Sequence, residues 1–194
     1  MDEQSSLFTD LELRDIRFSG SSSPILQMSD AALKEWKARI FRYQTQVNES
    51  AATQQGTLFD LAPTSTDPAS IDPFSLKQQN TEFWRDTFDD EGIAALYFVI
   101  DQELPLLLYV GETSKSNQRW KGVHDCKDYL HNYVAAHRIH KLPVRVTISF
   151  WREAPADYHL RQQLEQALIQ KWKPPFNRES RKHWGAPFRD LKPD

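Results

Sequence analysis

One cysteine, Cys126, stands in a chain of 194 residues. A disulfide framework is therefore excluded, and with it a zinc site built on cysteine thiolates. No apolar run approaches the ~20 residues that a helix needs to cross a bilayer. The opening Met1-Asp2-Glu3-Gln4 is acidic and polar, unlike a secretory signal. These absences describe a soluble chain without a membrane partner, and a lone thiol suits a reducing, cytoplasmic setting. No zinc-finger or helix-turn-helix pattern is present. Nor is there an excess of positive charge, since 24 Lys/Arg face 27 Asp/Glu for a net −3. That balance argues against a nucleic-acid partner only if the charge is evenly spread. Residues 1–91 hold 8 Lys/Arg against 16 Asp/Glu, whereas residues 92–194 hold 16 against 11. A basic half with net +5 thus follows an acidic half with net −8. Phosphate contact requires such a basic half, although a charge of this size is also ordinary solvation.

Residues 1–28 have no sustained period and are rich in Ser, Asp and Gly, as a flexible arm would be. Ser29-Asp30 opens an amphipathic helix over 29–47, with Leu33, Trp36, Ile40, Tyr43 and Val47 at helical spacing. Lys34, Lys37, Arg39 and Arg42 lie mostly off that line. The reading is a helix docked on the domain with a solvated basic face, ahead of an extra DNA-contacting helix. Residues 48–74, dominated by Thr, Ser, Gln, Pro and Asp, read as a flexible linker.

Residues 75–180 read as the folded domain and 181–194 as a basic tail. A short helix is predicted over 75–88. Two apolar runs then flank Asp101-Gln102-Glu103-Leu104-Pro105 as a hairpin. A helix from Asp125 carries Tyr129, Leu130, Tyr133, Val134 and His137. Val144, Val146, Ile148 and Phe150 alternate with polar residues as a half-buried strand. Asp157 to Trp172 is a helix with Leu160, Leu164, Leu168 and Trp172 on its core side, and Pro174-Pro175 stops it. The fold class is α+β, a small three-stranded antiparallel sheet flanked by helices.

The hairpin carries a spaced set of polar and aromatic residues. Each strand has one tyrosine, Tyr97 and Tyr109. Gly111 and Arg119 follow the second, and far downstream come Glu165 and Pro174-Pro175-Phe176-Asn177. Singly, each strand tyrosine is more often packing, and each arginine or glutamate a solvated charge. In order, however, Ala95-Leu96-Tyr97, Tyr109-Val110-Gly111, Arg119, Glu165 and Pro175-Phe176-Asn177 resemble the GIY-YIG nuclease domain over roughly residues 92–178. That family includes the UvrC N-terminal incision module and some homing and restriction endonucleases. Two positions depart from its pattern. Ala95 replaces the usual glycine, and Glu112 stands where several members carry lysine.

The resemblance implies an endonuclease that hydrolyses phosphodiester bonds. Such a reaction needs a deprotonated water, a balanced phosphate charge, a stabilised leaving oxygen and a strand held in line. By resemblance, Glu165 is the metal ligand, and one Mg²⁺ (or Mn²⁺) ion suits a carboxylate and water. Arg119 would bind the scissile phosphate, to which guanidinium is matched. One of Tyr97 and Tyr109 would be the general base as tyrosinate, with Tyr97 preferred. A free tyrosine has a pKa of about 10, so the site must lower it with positive charge. Asn177 would hold the site or a phosphate oxygen. His124, five residues after Arg119, is a further catalytic candidate, although a helix-end histidine is more often structural. Lys115 is a candidate DNA contact in a loop, where lysine is more often solvated.

Two short stretches complete the reading. Gln4-x-x-Leu7-Phe8 and Gln55-x-x-Leu58-Phe59 resemble the peptide by which bacterial polymerases and repair proteins bind the sliding clamp. Both lack the leucine often found at the second position. The bland alternative is that these apolar residues pack on the domain. Together the features predict a metal-dependent, nucleoid-associated DNA endonuclease, directed by DNA structure or damage in repair or recombination and tethered to the clamp. The alternatives are a restriction endonuclease of the same fold and a non-catalytic, clamp-associated DNA-binding protein.

Overall fold

Every residue of the central strand is buried, because both faces of the sheet are covered. The computed structural model describes residues 28–54, 67–80, 92–117 and 125–188. Four strands form one antiparallel sheet: β1 (Gln79–Asn80), β2 (Ala95–Asp101), β3 (Leu106–Thr113) and β4 (Val146–Trp151), in the order β1-β4-β2-β3. On one face, Tyr97, Val99 and Leu108 pack with helix α2 (Asp125–Ile139) and with Leu33, Trp36 and Ile40 of helix α1 (Asp30–Gln54). On the other, Leu96, Phe98, Ile100 and Val110 pack against Leu164, Leu168, Ile169 and Trp172 of helix α3 (Tyr158–Trp172). A 3-10 turn at Arg178–Ser180 leads into a short helix, α4 (Arg181–Trp184). No helix of the described residues is long and apolar enough to cross a membrane.

The helices start where their capping residues stand. The Ala32 N–H donates to Ser29 Oγ (3.2 Å) at the head of α1, and the Leu160 N–H donates to Asp157 Oδ1 (3.0 Å) at the head of α3. Three expectations change. Gln79–Asn80 is a strand rather than part of a helix over 75–88. The preceding segment is spent on a turn, in which Asp72 Oδ1 accepts from the Phe74 N–H (2.9 Å), and Gln78 Oε1 accepts from the Thr147 hydroxyl of β4 (2.8 Å). Helix α1 runs on to Gln54, past the expected end at 47. On α3, Leu160 is 46% exposed and Arg161, 3% exposed, occupies the inward position instead.

Lys37 also departs from the expected solvated face. Its ammonium donates to Asp101 Oδ2 at 2.8 Å, with the two side chains 9% and 0% exposed. The Tyr133 hydroxyl donates to the same oxygen at 2.7 Å. Burial first, and then the Asp101 carboxylate, push the Tyr133 phenol well above its usual range, so it remains a donor. His137 Nε2 lies 3.1 Å from Lys37 Nζ, and an ammonium has no acceptor. Nε2 therefore accepts, and the Nδ1 proton goes to the Tyr133 carbonyl at 2.8 Å.

Burial foremost holds His137 below the usual imidazole pKa, with Lys37 and His140 acting the same way and the Tyr133 carbonyl and Asp101 opposing. The unfolded chain therefore binds a proton near pH 6.5 that the folded chain refuses. Stability is expected to fall as pH drops below about 6.5, by up to about 1.4 kcal/mol per unit for this group. Urea melts at pH 7.5, 6.5 and 5.5 measure the slope, and His137→Gln should flatten it.

Candidate active site

The two strand tyrosines meet because β3 is bulged. Val99 pairs with Tyr109 but Ile100 pairs with Leu107, so Leu108 is the extra residue. A bulge reverses the alternation of everything beyond it. Leu107 and Val110 consequently face α3, while Leu108 and Tyr109 both turn to the α2 face, where Tyr97 lies. The Tyr97 and Tyr109 rings stack at 5.8 Å between centroids and 29° between planes. Phe150 of β4 stands 6.1 Å from Tyr97 on its other side. Tyr97 is fully buried and Tyr109 half-buried.

Gly111 lies directly opposite Tyr97 in the ladder, and the Tyr97 ring and hydroxyl occupy the space that a Cβ there would fill. The glycine of Tyr109-Val110-Gly111 is thus the floor on which the first tyrosine lies. Gly111→Ala is expected to cost about 1–3 kcal/mol by overpacking and to displace the Tyr97 hydroxyl. Thermal melts and cleavage rates of the same protein read the two effects.

The outer edge of β3 is closed by side-chain amides rather than by another strand. Gln44 of α1 accepts from the Leu107 N–H (2.9 Å) and donates to the Leu107 carbonyl (3.0 Å). The Phe176 N–H donates to the Leu108 carbonyl (3.0 Å). Asn177 accepts from the Val110 N–H (2.9 Å) and donates to the Val110 carbonyl (2.8 Å). Both ends of the Asn177 amide are therefore engaged in holding the strand that carries Tyr109 and Gly111.

Glu112 forms an ion pair with Arg161 across the other face. Arg161 Nε donates to Glu112 Oε2 at 2.7 Å, and its Nη1 donates to the carbonyls of Pro155 and Ala156. The residue after the Tyr-x-Gly is therefore neutralised, and it clamps the head of α3 to β3. Gln44 Nε2 reaches both the Trp172 carbonyl and Leu107 at the other end. From Arg161 to Trp172 the helix advances about 16 Å, and from Glu112 to Leu107 the strand advances about 16 Å in the opposite sense. Glu165, one turn beyond Arg161, is thereby level with Val110 and Gly111. At 3.6 residues per turn it falls between the Trp172 and Ile169 positions, at the margin of the sheet side of α3, and it is half-buried.

Among the described residues, no three His, Cys, Asp or Glu side chains gather into a metal cage. The donor set at this level is a single carboxylate, which fits a hard cation that keeps most of its waters and does not fit zinc. Lys115 is exposed in the loop after β3. Arg119 and His124 lie outside the described residues, as do the peptides of Gln4, Leu7 and Phe8 and of Gln55, Leu58 and Phe59.

Gln44 and Arg161 were missed in the sequence. Their signal was positional. Gln44 falls one helical turn after Ile40, and Arg161 one turn before Glu165, so both sit on inward stripes where a polar residue must find a partner.

A family model described as the GIY-YIG catalytic domain matches residues 94–179. The match begins beside the first tyrosine and ends just beyond Asn177. No curated protein and no solved structure matches the chain.

Proposed function

We propose, from the premise that residues 94–179 belong to the GIY-YIG family and make this chain a nuclease of that type, that it is a metal-dependent DNA endonuclease centred on the Tyr109-Val110-Gly111 stretch of strand β3. The observation that carries this reading is the stack of Tyr97 on Tyr109 over Gly111 on one face of the sheet, with Glu165 carried by α3, the helix that covers the opposite face of the same edge strand. In this reading Tyr97 removes the proton from the attacking water and Tyr109 holds the Tyr97 ring in place. Asn177 and the Arg161–Glu112 pair fix the strand and the helix that carry the reacting groups. Arg119 binds the scissile phosphate, Lys115 a neighbouring one, and His124 is a further catalytic group. Glu165 would hold the Mg²⁺ or Mn²⁺ ion, which supplies positive charge against the phosphate when bound.

Single-turnover pH–rate profiles of Tyr97→Phe and Tyr109→Phe test the assignment. Tyr97→Phe is expected to lose about 10²–10⁴-fold in rate, and Tyr109→Phe considerably less. A larger loss in Tyr109→Phe reverses the two roles, and wild-type rates in both remove the tyrosines from the chemistry.

We further propose cutting directed by DNA structure or damage, in repair or recombination. A docking peptide delivers a nuclease to its sites by raising local concentration and needs no extended base-reading surface. The support is the pair of Gln-x-x-Leu-Phe sequences at 4–8 and 55–59. A labelled peptide spanning 52–62 is expected to bind a purified bacterial sliding clamp, and its Leu58→Ala/Phe59→Ala form to lose that binding. Binding by neither peptide removes the tether.

A further inference from the structure

Apart from the tyrosines and Glu165, a concave feature lies along α3. A cleft of about 570 Å³ runs between the C-terminal half of α3 and the segment 179–183, lined by Gln166, Gln170, Lys173, Ser180, Lys182 and His183 over a floor at Ile169. It begins at Gln166, the residue after Glu165, and extends about 10 Å along the helix to Lys173. That length spans roughly two to three phosphates of one DNA strand.

The walls are preformed. Lys173 ends α3 in the left-handed region (φ 45°), and its N–H donates to the Ile169 carbonyl at 2.9 Å. The Lys173 carbonyl accepts from Trp184 Nε1 at 2.7 Å. The Trp184 carbonyl in turn accepts from Trp36 Nε1 of α1 at 2.9 Å. The Lys173 ammonium stands 4.6 Å from the centroid of the Tyr43 ring. The opposite wall is therefore tied to the same helix that holds the sheet edge.

The lining is cationic and one of its donors has no partner. Lys173, Lys182 and His183 face a single lining carboxylate, Glu179, and among the described residues neither lysine has an acid within ion-pair distance. Slight burial, and then Lys173 and Lys182, push His183 below its usual pKa, as expected where positive charge is crowded. Ser180 is 1% exposed, and its hydroxyl is buried without a hydrogen-bond partner. A buried hydroxyl left open beside unneutralised lysines is the donor that an oxyanion would complete.

We propose that this cleft is a phosphodiester-binding channel that holds the DNA strand flanking the cut, with Lys173, Lys182 and Ser180 on the phosphate oxygens and Gln166 and Gln170 along the backbone. The proposal rests on the nuclease reading, since the cleft runs along α3, the helix that carries Glu165. Glu179 limits how closely a phosphate approaches that wall, so the contacts fall on the lysine side.

The test is binding of the full chain to a fluorescent 30-base-pair duplex, read by anisotropy in EDTA from 50 to 200 mM salt. Each phosphate contact removed should lower the slope of log K against log salt by about 0.9. Lys173→Gln/Lys182→Gln is expected to flatten the slope by roughly two such steps and to weaken binding about 10–100-fold at 100 mM salt. Lys182→Gln alone, at an exposed position, should give one step without touching the fold. Ser180→Ala should weaken binding several-fold at an unchanged slope. Lys34→Gln/Arg42→Gln, on the exposed face of α1, removes the same charge elsewhere and should leave the slope as it is. A wild-type slope in both lysine variants, or an equal loss in the α1 control, overturns the channel. If wild-type protein cuts DNA while the cleft variants bind normally, the channel alone fails. If wild type neither binds nor cuts, the nuclease reading fails with it.

Discussion

Glu165→Gln is expected to lower the single-turnover cleavage rate by about 10³-fold or more, equivalent to about 4 kcal/mol of transition-state stabilisation, while leaving the melting temperature within about 2 °C. The separation follows from where the residue lies. The hydrophobic grip of α3 on the sheet comes from Leu164, Leu168, Ile169 and Trp172, and its polar anchors are Arg161 at the head and Trp172 at the tail. Glu165 is half-buried and lies outside that apolar set. Glutamine keeps the shape and removes the charge that a hard cation requires. Rate, DNA affinity and melting curve are measured on one preparation. A rate within tenfold of wild type would show that Glu165 does not hold the ion. A fall in stability matching the fall in rate would make it structural.

Lys37→Met is expected to destabilise the protein by about 3–5 kcal/mol, because it leaves a buried carboxylate without its cation. For a chain of this size that shifts the melting temperature by roughly 6–20 °C. The side chains involved are 9% and 0% exposed, so water does little to relieve the loss. Asp101 would keep the Tyr133 hydroxyl on Oδ2 and the Glu103 and Arg145 N–H groups on Oδ1, but no positive charge at contact distance. Methionine retains an unbranched stem at this buried position of α1, which isolates the charge from the packing. Lys37→Met/Asp101→Asn should recover part of the loss, since the remaining buried groups are neutral, and the cycle gives the coupling directly. A shift below about 1 kcal/mol for Lys37→Met would mean that α1 is held by apolar contact alone. Because α1 also closes the edge of β3 through Gln44, a weakened helix is expected to reduce cleavage as well as stability.

How far the sequence was legible depends on how local the determinant was. The hairpin, the alternating strand and the capped helix α3 follow from spacing within one segment, and the structure has them near their expected bounds, whereas α1 starts as expected and overruns its expected end by seven residues. The family follows from ordered residues spread over the domain. Leu160 was misplaced because a side chain of its type outranks arginine in any apolar stripe. Arg161 turned inward only because Glu112, far away in sequence, was there to receive it. Lys37 was misread for the same reason: its partner Asp101 looked like the first residue of a turn. The bulge at Leu108 was invisible to periodicity, yet it puts Tyr109 on the face of Tyr97. The placement of Tyr109 is thus a property of strand pairing, and a single strand's alternation cannot give it.

Cleavage by the wild-type protein decides whether this fold cuts DNA. It would be measured under single-turnover conditions on plasmid, nicked, flap, fork and four-way-junction DNA, with Mg²⁺, with Mn²⁺ and with EDTA. Cutting is expected with either metal, none in EDTA, and a preference for a branched or nicked substrate over intact duplex. Cutting that persists in EDTA would contradict the metal assignment to Glu165. Binding without cutting, on every substrate and with both metals, would make this chain a DNA-binding protein on a nuclease fold.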